Sequence, residues 1–218
     1  MKTSFFITLL LSICVFNSCK EEVDATPPVL KNLLIEFADY DPATQTAGDF
    51  TFLNNFDQMF YQFGYRSGPT LDDLGAEFGY IIKEDALVKA PCDGIITRLT
   101  LRDDGDYNIS IKNQENSIWF TQVDHLLNVV VEQGDRVTAG QVLGNPGFWD
   151  NVSGLGVVEL SVINDEERRN YCPFSFFDPA TRATYEAKVQ KLMDDWEAFK
   201  SDDTIYDKIC VEDWYDTE

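Results

Sequence analysis

Through the middle of the chain, apolar and polar residues alternate in short runs. Val88–Gly94 (VKAPCDG) followed by Ile95–Leu99 reads as a strand, a tight turn through Pro91, Asp93 and Gly94, and a second strand. The run YNISIKN at 107–113 has a period of two, the pattern of a half-buried strand. A longer run, SIWFTQVDHLLNVVV, leads into a Gln-Gly-Asp turn at 133–135, an Ala-Gly turn at 139–140 and an apolar segment closing at Gly144. Short β-branched runs cut by such turns favour a small antiparallel β-sandwich or barrel over a helical or parallel-sheet domain. Ala86 to Gly147 is thus the stretch around which the rest is organised.

On either side the pattern changes. Leu34 to Tyr65 carries the aromatic-rich runs LIEFADYD and FTFLNNFDQMFYQFGY, which predict short strands and one helical turn around Asn55–Tyr61. Ser67-Gly-Pro-Thr predicts a turn, and Leu71–Gly75 a loop or short helix. Near the C-terminus Tyr185, Val189, Leu192, Met193, Trp196 and Phe199 fall three or four apart, predicting an amphipathic helix that packs on the sandwich. Asp178 before Pro179 predicts its N-cap and first turn.

Residues 1–18 hold one lysine, an apolar run from Phe5 to Phe16 and then Ser18 before Cys19. That run is shorter than the roughly 20 residues needed to span a bilayer, so the segment reads as a signal peptide. The Ser-Cys junction resembles a bacterial lipobox, which implies that Cys19 carries a lipid. Lys20, Glu21 and Glu22 resemble the charged tag of Bacteroidetes-type surface lipoproteins, with a solvated linker as the alternative. The expected layout is a signal peptide at 1–18, a linker at 19–33, a β-sandwich domain at 34–165 and a C-terminal helical extension at 166–218. Pro27 and Pro28 favour an extended path in the linker.

Charge narrows the partners. There are 38 acidic and 17 basic residues, for a formal net charge of −21 over 218 residues. This argues against nucleic acid and against adhesion of the protein surface to anionic lipid, so membrane contact is expected through the lipid on Cys19. The localisation expected is the cell envelope, at the outer membrane. With Cys14 removed and Cys19 lipidated, Cys92, Cys172 and Cys210 remain. Cys172 and Cys210 flank the C-terminal helix and are paired on this reading, leaving Cys92 as a small buried hydrophobe.

The pattern V-x-A-P-x-D-G-x-I at 88–96, with Asp124-His125-Leu126 and the V-x-x-G-D-x-V-x-x-G-Q-x-L-G run at 131–144, resembles the core of lysostaphin- and LytM-type zinc murein endopeptidases. The resemblance covers roughly Ala76 to Ile163. It implies a duplicated hybrid motif, a barrel-sandwich β fold. Members of that family hold zinc with a His-x-x-x-Asp segment and the second histidine of a His-x-His strand, while further histidines assist proton transfer. In this chain Glu77 and Ile81 stand at the first two ligand positions, Val157 at the catalytic histidine and Glu159 at the third ligand. Only His125, the chain's single histidine, matches a functional position. The alternation of Val158, Leu160 and Val162 supports this register, because those three would share the inward face.

An aliphatic side chain cannot bind metal, and carboxylate oxygens suit harder cations better than a hydrolytic zinc site. The expectation is therefore a retired enzyme fold without a metal. Its groove, lined by Glu77, His125 and Glu159, would bind a cell-wall peptide, a glycan or an envelope protein. Asp124 and His125 are expected to hydrogen-bond each other there. The alternative is a divergent metallopeptidase holding zinc or another divalent ion on Glu77, Glu159 and His125. A lipoyl- or biotinyl-type module lacks a lysine in an apolar hairpin turn. No phosphate loop, dinucleotide fingerprint or nucleophile elbow is present. Phe148-Trp149 and Trp119-Phe120 are candidates for stacking on sugars, with core packing as the alternative.

Overall fold

The computed structural model describes residues 22–66, 74–149 and 154–217. The signal segment and Cys19 lie outside the described residues. In chain order the strands are β1 (Thr46–Ala47), β2 (Phe50–Thr51), β3 (Phe60–Tyr61), β4 (Tyr65–Arg66), β5 (Leu74–Gly75), β6 (Phe78–Lys83), β7 (Val88–Lys89) and β8 (Gly94–Leu101). They continue as β9 (Tyr107–Lys112), β10 (Trp119–Leu127), β11 (Arg136–Val137), β12 (Val142–Phe148), β13 (Leu155–Asn164), β14 (Arg169–Tyr171) and β15 (Trp214–Asp216), with helix α1 at Arg182–Lys200. The protein is mostly β, built on one large antiparallel sheet in the order β11-β8-β9-β10-β12-β13-β14-β15. On it, β6 pairs with β13, β3 with β6 and β7 with β12.

The period-two pattern explains which face is buried. Along β13, Val158, Leu160 and Val162 are fully buried, and opposite them on β6 Phe78 and Tyr80 are equally inaccessible. Phe50, Phe52 and Phe60 complete an aromatic core in which rings meet edge-on or stacked, geometries that suit the ring quadrupole. Helix α1 closes this core through Val189, Leu192, Met193 and Trp196, with Tyr185 and Phe199 packed at its margin. The Trp196 indole N–H donates to the carbonyl of Asp57, so its one polar atom is satisfied.

Several expectations are corrected. Asn55–Tyr61 forms no helical turn; Phe60 and Tyr61 instead extend the sheet as β3, opposite Tyr80 and Gly79. The gain there is the burial of Phe60 against Phe78 and Tyr80, and local propensity gives way to it. Leu74–Gly75 is a strand paired with β4, whereas Leu71–Asp73 lie outside the described residues. Helix α1 begins at Arg182, later than an N-cap at Asp178 implies. Asp178 caps a preceding turn, accepting from the N–H of Ala180 through its side chain and from Arg182 through its carbonyl.

From Glu22 on, the stretch expected as a linker docks along the body. Leu30 and Leu33 are fully buried, the N–H of Leu30 donates to Phe176, and the carbonyl of Asp24 accepts from Ile118. Within the C-terminal extension, β14 and β15 add to the same sheet, and Cys172 is disulfide-bonded to Cys210. Cys92 is buried beside Thr121, and burial pushes its thiol up to about 11. No helix among the described residues is long and apolar enough to cross a membrane.

Candidate functional site

Three neighbouring strands put the candidate residues on one face. Gly79 on β6 lies opposite Glu159 on β13, and Glu159 lies opposite Asp124 on β10. Directly opposed residues in antiparallel strands share a face, as do residues two apart along a strand. Ile81 therefore falls in the next row, opposite Val157, and Val157 is in turn opposite Gly147 on β12. Glu77 lies one residue ahead of β6, close enough to Glu159 and Asp124 to feel both charges. Ile81 is fully buried and Val157 nearly so, which makes this part of the floor aliphatic.

His125 reaches the groove through a bulge. Between Val123, opposite Ile109, and Leu126, opposite Tyr107, β10 carries one residue more than β9. Val123 and Leu126 both stay buried, so Asp124 and His125 are both free to face away from the core. The irregularity leaves His125 at φ 59°, an unusual backbone conformation for a residue with a side chain.

The imidazole is held from behind. His125 Nδ1 lies 2.7 Å from Oδ2 of Asp106, a carboxylate whose side chain is only 5% exposed. Its other nitrogen, Nε2, is 3.6 Å from Oε2 of Glu159, too long for a hydrogen bond. Arg102 anchors the cluster. Its Nη1 donates to Asp124 at 3.2 Å, and its Nε lies 3.3 Å from Oδ1 of Asp106, an ion pair without a hydrogen bond. Asp124 also accepts from Gln122 at 2.8 Å. The expected Asp124–His125 hydrogen bond is thus replaced by two separate pairs, His125 with Asp106 and Asp124 with Arg102. The bulge turns the neighbours apart, and the β8–β9 hairpin brings the better partners.

The electrostatics follow from burial and crowding. Removal from water pushes the Glu77 carboxyl up to about 8, helped by repulsion from Glu159 and Asp124. Burial also raises Glu159, against a partial offset from His125. Burial outweighs the His125 hydrogen bond at Asp106, whose carboxyl sits above its ordinary value. No cation lies within ion-pair distance of Glu77 among the described residues. The groove thus holds four crowded carboxylates, at Glu77, Asp106, Asp124 and Glu159, against Arg102 and His125.

Glu77, His125 and Glu159, the residues singled out from sequence, do share this face. Asp106 and Arg102 were not legible there. Their only sequence signal is the alternation Arg102, Asp104, Asp106 around a hairpin tip, which reads equally well as solvated turn.

These residues do not fit a hydrolytic zinc site. Ile81 offers no donor at one ligand position, and Glu77 must first give up a proton held by burial. A different trio, Asp104, Asp106 and His125, places ligand atoms within 4.8 Å of one another. The Arg102 guanidinium already sits against both of those aspartates, at 3.5 and 3.3 Å, and supplies the positive charge a metal would bring.

A family model described as apocytochrome F, C-terminal, matches residues 84–184, under half of the chain. The chain has no Cys-x-x-Cys-His segment, the attachment signal of a c-type haem. No curated protein matches the chain significantly in sequence. Among solved structures, the catalytic domain of the antimicrobial peptidase lysostaphin from Staphylococcus simulans is similar at 19% identity. That match covers 48% of this chain and 78% of that one, with a TM-score of 0.41. The catalytic domain of the prophage-encoded protein EnpA from Enterococcus faecalis is similar at 21% identity, over 50% of this chain and 85% of that one, with a TM-score of 0.40. A zinc-containing peptidase from Vibrio cholerae is similar at 18% identity, over 61% of this chain and 37% of that one, with a TM-score of 0.38.

Proposed function

We propose that this chain is a non-hydrolytic binding module of the bacterial cell envelope, anchored by lipid on Cys19, whose carboxylate groove takes a cell-wall peptide. The observation that carries the reading is the pair Ile81 and Val157. They face each other in register where the resemblance calls for a metal-binding aspartate and a catalytic histidine. Aliphatic side chains there close the route to water activation and leave a recognition surface. Because carboxylates outnumber cations in the groove, the ligand it favours brings positive charge, such as the free amino group of a peptide.

Retention of the chain on purified peptidoglycan, compared with a Glu77→Gln, Glu159→Gln double variant, tests the reading. Retention that the double variant loses, with no peptide released, is the expected outcome. Peptide release that Glu159→Ala abolishes would overturn it and favour the second reading, a divergent metallopeptidase. What favours that alternative is the placement of His125 Nε2 beside Glu159, with Glu77 on the same face. Labelling with a radioactive fatty acid, lost in Cys19→Ser, tests the anchor.

A further inference from the structure

Beside the groove, between the end of β12 and the turn after β6, lies an open cleft of about 450 Å3, a size common among small-ligand sites. Its most unusual feature is Phe148. At 72% exposure it is the most accessible of the large apolar side chains among the described residues. Trp119 and Phe120, the other aromatic pair singled out from sequence, are otherwise occupied. Trp119 packs on Tyr171 and Phe176 and donates its indole N–H to Ala25, and Lys112 lies over the Phe120 ring. Nothing comparable covers Phe148 among the described residues.

Around that ring the cleft is polar and held in place. Asn128 donates to the side-chain oxygen of Asn145 at 3.2 Å, and Asn145 donates to the carbonyl of Ala86 at 2.9 Å. These bonds leave Oδ1 of Asn128 and one N–H on each amide for a ligand. Glu84 accepts from the N–H of Gly154 at 3.2 Å, which fixes a carboxylate on the rim, and Asp85 stands next to it. Donors and acceptors thus alternate around an exposed aromatic face.

We infer that this cleft binds a neutral oligosaccharide, one sugar ring lying on Phe148 while its hydroxyls bridge the Asn128 and Asn145 amides and the Glu84 and Asp85 carboxylates. Sugar hydroxyls both donate and accept, which suits a mixed set of amides and carboxylates. The C–H face of a pyranose is apolar and flat, which suits a bare phenyl ring. The two carboxylates repel uronic and other acidic sugars. An apolar peptide side chain would use the ring but offer nothing to the free amide and carboxylate positions around it.

The test is calorimetric titration of the full chain in detergent with an N-acetylglucosamine tetramer, cellotetraose and an acidic oligogalacturonate. Saturable binding of at least one neutral oligosaccharide, none of the acidic one, and a loss of about tenfold or more in Phe148→Ala are expected. Asp85→Ala should weaken binding severalfold, while Leu101→Ala, exposed elsewhere, should not change it. Phe148 is so exposed that its removal leaves folding intact, which a melting curve verifies. Absence of saturable binding to both neutral sugars, or equal affinity in Phe148→Ala, would overturn the inference. It does not rest on the peptide groove: a chain that binds oligosaccharide and no peptide supports this site and removes that reading.

Discussion

Asp106 fixes the face that His125 shows to the groove, with Oδ2 2.7 Å from Nδ1, so that Nε2 is directed toward Glu159. A neutral histidine has one donor and one acceptor nitrogen, and a carboxylate on one side decides which is which. The arrangement needs a bulge, a left-handed residue and a bare backbone alongside. A Cβ added at Gly147 would come within 2.8 Å of Asp106 Oδ2 and 3.0 Å of His125 Cβ. Gly147→Ala should therefore cost about 1–3 kcal/mol through overpacking, read by urea denaturation. It should also shift the ring nitrogen signals of the chain's single histidine in NMR spectra. Unchanged ring signals would show that the pair does not depend on this close approach.

Glu77 makes a pH-dependent contribution with a definite sign. Its carboxyl is raised from 4.5 to about 8 in the folded chain, so the fold holds that proton more tightly than the unfolded chain does. Stability from this group is fully present below pH 4.5. It drains away as pH rises toward about 8 and is flat beyond. Glu77→Gln should flatten that slope and stabilise the protein most above pH 8. One pKa unit corresponds to about 1.4 kcal/mol. A gain of about 2 kcal/mol at pH 9 is expected, well under the full shift because the side chain keeps some contact with water. Denaturation midpoints at pH 5, 7 and 9 for both proteins check it, and parallel curves would contradict it.

What could be read from the sequence was what repeats along it. The inward set Val158, Leu160 and Val162 and the apolar stripe on α1 are periodic, and periodicity survives any tertiary context that buries one face. The positions of Glu77, Ile81, Val157 and Glu159 came from the resemblance, and the alternation supported only the register of Val157 and Glu159. The sequence was silent where structure depends on distant partners. Phe60 and Tyr61 became a strand because β6 was there to pair with them. Leu30 and Leu33 lie after a Pro-Pro pair that signals an open linker, yet both are fully buried where the segment docks along Phe176–Asp178 and Pro91. The Arg102–Asp106–His125 cluster joins a hairpin tip to a bulge, and one extra residue in β10 leaves no compositional mark.

The disulfide ties the C-terminal tail to the body. Cys210 bridges to Phe63, the N–H of Val211 donates to the carbonyl of Phe63, and Cys172 lies just ahead of the turn leading to α1. With the bonded positions 38 apart in the sequence, replacing both cysteines by serine should cost about 2–4 kcal/mol, most of it through the freed unfolded chain. Urea denaturation with and without reductant checks this. Reductant should lower the midpoint of the native chain and leave that of the Cys172→Ser, Cys210→Ser variant where it was.

The groove register itself can be tested by building a metal site on it. Gly79 opposite Glu159 and Ile81 opposite Val157 place positions 81, 157 and 159 around one patch of floor, with Glu77 close enough to feel the Glu159 charge. If that placement is right, Glu77→His, Ile81→Asp, Val157→His and Glu159→His together supply imidazoles and a carboxylate suited to an open zinc site. The fourfold variant should then hold about one zinc per chain after dialysis, measured by elemental analysis, where the native chain holds far less. Ile81→Asp alone places a lone carboxylate at a fully buried position and should destabilise the fold by about 3 kcal/mol or more without gaining metal. Zinc in the fourfold variant would confirm the geometry. One zinc per native chain, removed by Glu159→Ala, would instead mean that the glutamates and His125 still hold a metal.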